Sequence, residues 1–118
     1  MQKIAMELHG QKLQVYVANS FGSRLRGLML RRAAFLPMGT GLFIVPCNSI
    51  HMMFMRFAID VVYLDKDYQV VKVVEKLLPW LGLSFCFAAY AALELPLGTI
   101  RKYNICVGDT LGHKNTSA

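Results

Sequence analysis

Cys47-Asn-Ser-Ile-His51-Met-Met-Phe-Met55-Arg56-Phe-Ala-Ile-Asp60-Val-Val-Tyr-Leu-Asp65 gathers soft ligands, central charges and the longest strand-like run of the chain. If residues 47–57 are extended, a period of two puts Cys47, Ser49, His51, Met53 and Met55 on one face. Asn48, Ile50, Met52, Phe54 and Arg56 then take the other. Both faces are largely apolar, so this reads as a central strand covered on both sides, with Ile59 to Leu64 following as a second buried run. Asp65-Lys66-Asp67-Tyr68 turns the chain, and Gln69 to Glu75 is a β-branched strand that pairs back.

Upstream, Lys3 to His9 and Lys12 to Ala18 read as a hairpin turning at His9-Gly10-Gln11. In the second run Leu13, Val15 and Val17 share one face and Lys12, Gln14 and Tyr16 the other. Asn19 and Ser20 supply N-cap chemistry, and the spacing of Phe21, Leu25, Leu28 and Met29 predicts a short helix over about residues 20–32. Arg24, Arg26, Arg31 and Arg32 lie on its border, far side and last turn, where a solvated charged face is ordinary. Pro37 and Gly39-Thr40-Gly41 break that pattern before an apolar strand, Leu42 to Val45, closed by Pro46.

Downstream, no charged residue occurs from Leu77 through Leu93. A membrane span would need a similar length, but Pro79, Gly82 and Ser84 favour a loop followed by a buried strand. Leu81, Leu83, Phe85 and Phe87 are the candidate interaction loop, because a large exposed apolar patch normally marks a contact surface. Leu93 to Gly98 ends the strand, Thr99 to Tyr103 forms a short turn or helical segment, and Ile105 to Leu111 makes a final strand around a turn. One β domain over residues 1–111 and a fraying tail over 112–118 are expected.

Composition narrows the function classes. The chain has 118 residues, 55% of them hydrophobic, and a mean hydropathy of +0.40. One domain with a real core fits that length. The excess apolar surface must be buried or face a partner. Lys and Arg number 13 against 7 for Asp and Glu, yet no basic tract is interleaved with aromatics, so a nucleic-acid partner is not expected. Cys47, Cys86 and Cys106 form no CxxC pair, so free thiols in a reducing compartment fit best. The first ten residues lack the apolar run of a signal peptide, which makes the cytoplasm the default expectation unless a leader precedes them.

Ile50-His51, Phe54-Met55-Arg56-Phe57, Ile59-Asp60-Val61-Val62, Leu93-Glu94-Leu95-Pro96, Gly98 and Gly108-Asp109 stand in an order that resembles one known family. Arg26-Gly27-Leu28-Met29 and Pro79-Trp80 extend the likeness over nearly the whole chain. The family is domain of unknown function 192, also called uncharacterised protein family 0127. The resemblance implies a mainly β fold: a small single-domain sandwich or barrel, jelly-roll-like, with one short helix in its N-terminal third. It also implies a bacterial or archaeal source, with some relatives exported, and no established activity. The chain departs from the pattern at Met52 and Met53 (threonine and phenylalanine in the family), Ala58 (proline), Tyr68 (glycine) and Leu97 (alanine).

The candidate site residues are charged or polar groups inside apolar runs. Asp60, Arg56 and Glu94 need partners if buried. An ion pair of Arg56 with Asp60 or Glu94 is the plain account; the sharper one is a polar cleft in which His51, Arg56, Asp60 and Glu94 hold a small ligand. Cys47, His51 and Cys86 are the alternative set, suited to zinc or copper. No other cofactor is expected, and Asp109 is read as a turn residue accepting backbone N–H bonds. The leading expectation is a non-enzymatic ligand-binding or protein-interaction module, with peripheral membrane contact or weak self-association as further routes to a partner.

Overall fold

The first two strands, β1 (Gln2–Leu8) and β2 (Gln11–Ala18), are joined by His9 and Gly10, with φ of 53° and 76°. Two left-handed residues in succession are what a two-residue hairpin turn of the I′ type requires. The computed structural model describes residues 2–20, 28 and 31–115, with side chains to 112. The helix expected over 20–32, and Arg24 and Arg26 with it, falls mostly outside the described residues. Leu28 is buried, and Arg31 lies with its guanidinium 4.0 Å from the Phe35 ring centre.

The remaining strands are β3 (Thr40–Ile44), β4 (Ser49–His51), β5 (Ile59–Leu64), β6 (Val70–Leu77), β7 (Leu83–Phe85), β8 (Ala91–Pro96) and β9 (Gly112–Asn115). A four-residue helix, α1 (Thr99–Lys102), follows β8. Seven strands form one open sheet in the order β6-β5-β8-β3-β2-β1-β9, while β4 and β7 form a separate hairpin-like sheet. The mainly β expectation holds. With β6 and β9 at its two edges, the large sheet is not closed into a barrel.

Each face of the large sheet carries its own core. On one side Met6, Leu13, Val15, Val62, Leu64, Leu93 and Leu95 pack with Ile100, Ile105 and Leu111. On the other, Leu42, Ile59, Val61, Tyr63 and Ala92 pack beneath Ile50, Met52 and Met55. Every residue of β5 is buried, so β5, between β6 and β8, is an interior strand covered on both faces.

That corrects the expectation for residues 47–57, which are not one long strand. β4 ends at His51, because the Met52 carbonyl accepts bonds from both the Trp80 and Met55 N–H groups and folds the chain back. Phe54 then takes a left-handed φ of 63°. The fraying tail is also revised: Gly112–Asn115 pairs with β1, with Ile4 opposite Asn115. The turn after Asp67 forms without the family's glycine, Tyr68 itself adopting φ of 63° while its ring stacks on Phe43. Asp65 Oδ1 fixes it by accepting the N–H groups of Asp67 and Gln69.

One buried carboxylate ties three segments together. Asp60 is 1% exposed. Its Oδ1 accepts the Lys76 N–H at 3.0 Å, and its Oδ2 accepts those of Gly98 and Ile100 at 3.1 and 3.0 Å. Lys76 has a left-handed φ of 57° and lies where the β5–β6 register shifts between Ile59 and Val61. The carboxylate therefore holds a bulge, the β8–α1 turn and the start of α1 at once.

Asp60→Asn keeps the shape but replaces a charged acceptor with an amide whose NH2 must face an N–H. It is expected to lower the unfolding free energy by about 2–4 kcal/mol. Urea denaturation followed by the fluorescence of the single tryptophan measures this, and a loss below about 0.5 kcal/mol would show that the carboxylate is not a tie.

Candidate functional site

The four residues expected to share a polar cleft do not converge. β5 and β8 are antiparallel, with Asp60 opposite Leu95 and Val61 opposite Glu94. Asp60 and Glu94 consequently point to opposite faces of the large sheet. His51 and Arg56 are both exposed, and Arg56 forms an ion pair with neither acid. Backbone N–H groups, rather than Arg56, satisfy Asp60.

Glu94 belongs to a different group, on the opposite face of the large sheet from Asp60. Tyr63 and Glu94 share one face of β5 and β8, and Ser84 on β7 turns inward beside Tyr63. The Tyr63 and Ser84 hydroxyls and Glu94 Oε1 are buried, and none makes a hydrogen bond of standard geometry among the described residues. Burial pushes the Glu94 carboxyl up to about 8. Burial first, and then the neighbouring Cys47, Cys86 and Glu94, push the Tyr63 phenol up to about 12, against a lowering by the Ser84 hydroxyl. At neutral pH Glu94 is thus largely a neutral carboxylic acid.

The thiols sit at the border of this group. Cys47 and Cys86 are half-buried against the core under the small sheet, and the Cys47 thiol donates to the Ser49 carbonyl at 3.1 Å. Their expected third partner, His51, lies on the outer face, opposite Leu83. Among the described residues no three His, Cys, Asp or Glu side chains are grouped so as to hold a metal ion. Met55 is buried in the core cluster against which both thiols pack, whereas Met53 is exposed.

The outer face of the small sheet carries Leu83 and Phe85 on β7 and Ser49 and His51 on β4. Ile50 and Ser84 point inward as a cross-strand pair, which turns Ser49, His51, Leu83 and Phe85 outward. Leu81 and Phe87 are each 87% exposed, Leu83 65% and Phe85 51%. Phe85 and Phe87 lie with ring centres 5.6 Å apart, and Phe54 meets Trp80 edge-on at 5.2 Å. Phe54 and Trp80 both have left-handed backbones, with φ of 63° and 68°. Such conformations are costly outside glycine and concentrate at functional surfaces. Gly82 anchors the turn that presents them, since a Cβ there would stand 2.6 Å from the Leu78 carbonyl and 2.7 Å from Met52 Cγ.

Tyr63, Ser84, Phe54 and Trp80 were not visible as site residues in the sequence. Ser84 carried a signal, being a hydroxyl between two apolar residues at strand spacing. Phe54 carried none, because a phenylalanine does not announce a left-handed turn.

The sequence model of a family described as uncharacterised ACR, DUF192, matches residues 4–113. A UPF0127 protein of Pyrococcus furiosus is 32% identical over 105 residues, covering 85% of this chain and 86% of that protein. UPF0127 proteins of Thermococcus sibiricus and Thermococcus kodakarensis are each 34% identical, and the chain spans only 64% of the length of either. Among solved structures, a protein of Sinorhizobium meliloti put forward as a transcription regulator superposes with a TM-score of 0.82 at 19% identity, covering 95% of this chain and 92% of that one. A protein of unknown function from Novosphingobium aromaticivorans gives 0.79 at 17% identity, covering 93% of this chain and 83% of that one. Likeness at that identity is a likeness of fold.

Glu94 makes stability pH-dependent in a defined direction. Its carboxyl ionises near 4.5 in the unfolded chain and near 8 in the folded one. The unfolded chain therefore releases its proton first as pH rises, so the contribution is complete below about 4.5 and is lost towards about 8. Urea unfolding at pH 5 and pH 8 is expected to differ by roughly 3–5 kcal/mol from this group, a slope that Glu94→Gln removes.

Proposed function

The chain belongs to the DUF192 family, and from that premise we propose that it is a non-enzymatic interaction module which engages a partner through the outer face of the β4–β7 sheet. The carrying observation is the row Leu81, Leu83, Phe85 and Phe87 standing exposed beside the Phe54–Trp80 pair. Isolated exposed apolar residues are ordinary; a contiguous set of this size is not. Burying such side chains fully is worth about 1.5–3 kcal/mol each, so a few of them suffice for a contact.

The packing supports a prepared surface. Ile50, Met52 and Gly82 bind the small sheet to the core from below, so the apolar tips ride on a fixed base and lose little freedom on contact. The small-ligand reading has weaker support, because the charges invoked for it lie on different faces. The buried Glu94, Tyr63 and Ser84 set the chemistry under the face, whereas the residues that would meet a partner first are apolar.

Serine at Leu81, Phe85 and Phe87 should leave stability within about 0.5 kcal/mol of the parent, as expected of exposed positions. The same triple substitution should sharply reduce retention on a phenyl-substituted resin and the binding of an environment-sensitive dye. Strong destabilisation with unchanged retention would mean that these residues serve the chain's own core, and the module reading would fall.

A further inference from the structure

We propose that the partner of the β4–β7 face is an anionic lipid surface, with Leu81, Leu83, Phe85 and Phe87 entering the interface and Lys72 and Arg56 meeting headgroup phosphates. This rests on the docking reading above and names its occupant.

Charge distribution is the first support. The chain has no Asp or Glu between Glu7 and Asp60, and none between Glu75 and Glu94. Both stretches that build the face, 47–58 and 77–90, fall inside these gaps. Lys72 reaches it from β6, its Nζ 3.0 Å from the Phe85 carbonyl, and the exposed Arg56 follows the Phe54 turn. At the neighbouring turns Asp65 accepts backbone N–H groups and Glu75 pairs with Arg101 at 3.6 Å, while Asp67 stands exposed. An apolar face with cations nearby and no acid in its own segments complements a negatively charged bilayer.

The shape of the face is the second support. Its most exposed members, Leu81 and Phe87, stand out as tips. Protruding tips suit a fluid interface that closes around them, whereas a folded partner would need a matching cavity for each. Trp80, half-exposed beside Phe54, has the amphipathic ring favoured at the level of lipid headgroups. The proposed contact is peripheral, through apolar burial plus electrostatic attraction; no helix among the described residues is long and apolar enough to cross a membrane.

Trp80 is the single tryptophan of the chain and reports on this face directly. The test titrates the full chain with vesicles of phosphatidylcholine alone and of phosphatidylcholine mixed with phosphatidylglycerol. Co-sedimentation with the anionic vesicles is expected, with a blue shift of Trp80 emission and quenching by lipids brominated near the headgroup. Leu81→Ser with Phe87→Ser should weaken partitioning at least about tenfold. Lys72→Gln with Arg56→Gln should weaken it several-fold on anionic vesicles only, and added salt should do the same. Absence of partitioning, or partitioning unaffected by the serine pair, overturns the proposal. If vesicles are ignored while sedimentation equilibrium shows self-association that Phe85→Ser abolishes, the occupant is a second copy: the lipid inference fails and the docking reading stands. If Trp80 responds to neither and the resin test also fails, both fall.

Discussion

A single carboxylate, Asp60, sets the terms on which the large sheet can be regular. A central strand buried on both faces leaves no solvent for a charge, and a charge there persists only when its lone pairs are engaged. Here three backbone donors, Lys76, Gly98 and Ile100, engage them. None could be satisfied easily otherwise: one belongs to a bulge and two to the entry of a four-residue helix. The bulge residue and the turn keep their left-handed backbones, at Lys76 and Gly98, because the carboxylate makes those conformations worthwhile.

The two buried acids illustrate opposite solutions to the same cost. Asp60 gathers N–H donors and is a hydrogen-bond hub. Glu94, one strand over and on the other face, has no such donors to its Oε1 and shifts towards its neutral form. Nearly all of Glu94 is shielded from water, so its burial and its protonation are physically linked. An ionised Glu94 favours any rearrangement that lets water reach it, while a neutral one favours burial.

Much of the fold was legible because its determinants are local. His9-Gly10 announces a hairpin, Asp65 and Asp109 announce turns that accept backbone N–H groups, and the alternation of Leu13, Val15 and Val17 gives the buried side of β2. The site was legible only in part. That Asp60 and Glu94 are buried could be read from their apolar neighbours, and the exposure of Leu81, Leu83, Phe85 and Phe87 from the breakers around them. Whether the two acids face each other depends on the β5–β8 register, which is set by residues 27 to 37 positions apart, from Leu64–Ala91 to Ile59–Pro96, and has no local signature. The strand expected through Phe57 failed for a related reason. Its apolar pattern was real, but the turn at Met52 is imposed by Trp80 and Gly82 from another segment. The closing strand, Gly112–Asn115, has no apolar pattern at all and is held by backbone pairing with β1.

The place of β8 between β5 and β3 has a consequence for how the chain can be assembled during synthesis. Until residues 91–96 emerge, β1, β2 and β3 form one fragment and β5 with β6 another, and nothing in the large sheet joins them. Each fragment presents an unpaired edge, at β3 and at β5, with the apolar residues Leu42, Phe43, Val61 and Val62 along those edges. Such edges invite pairing with other chains. The nascent chain is therefore most vulnerable to misassembly in the interval before its eighth strand arrives, and slow translation or a chaperone would matter there more than anywhere else along it.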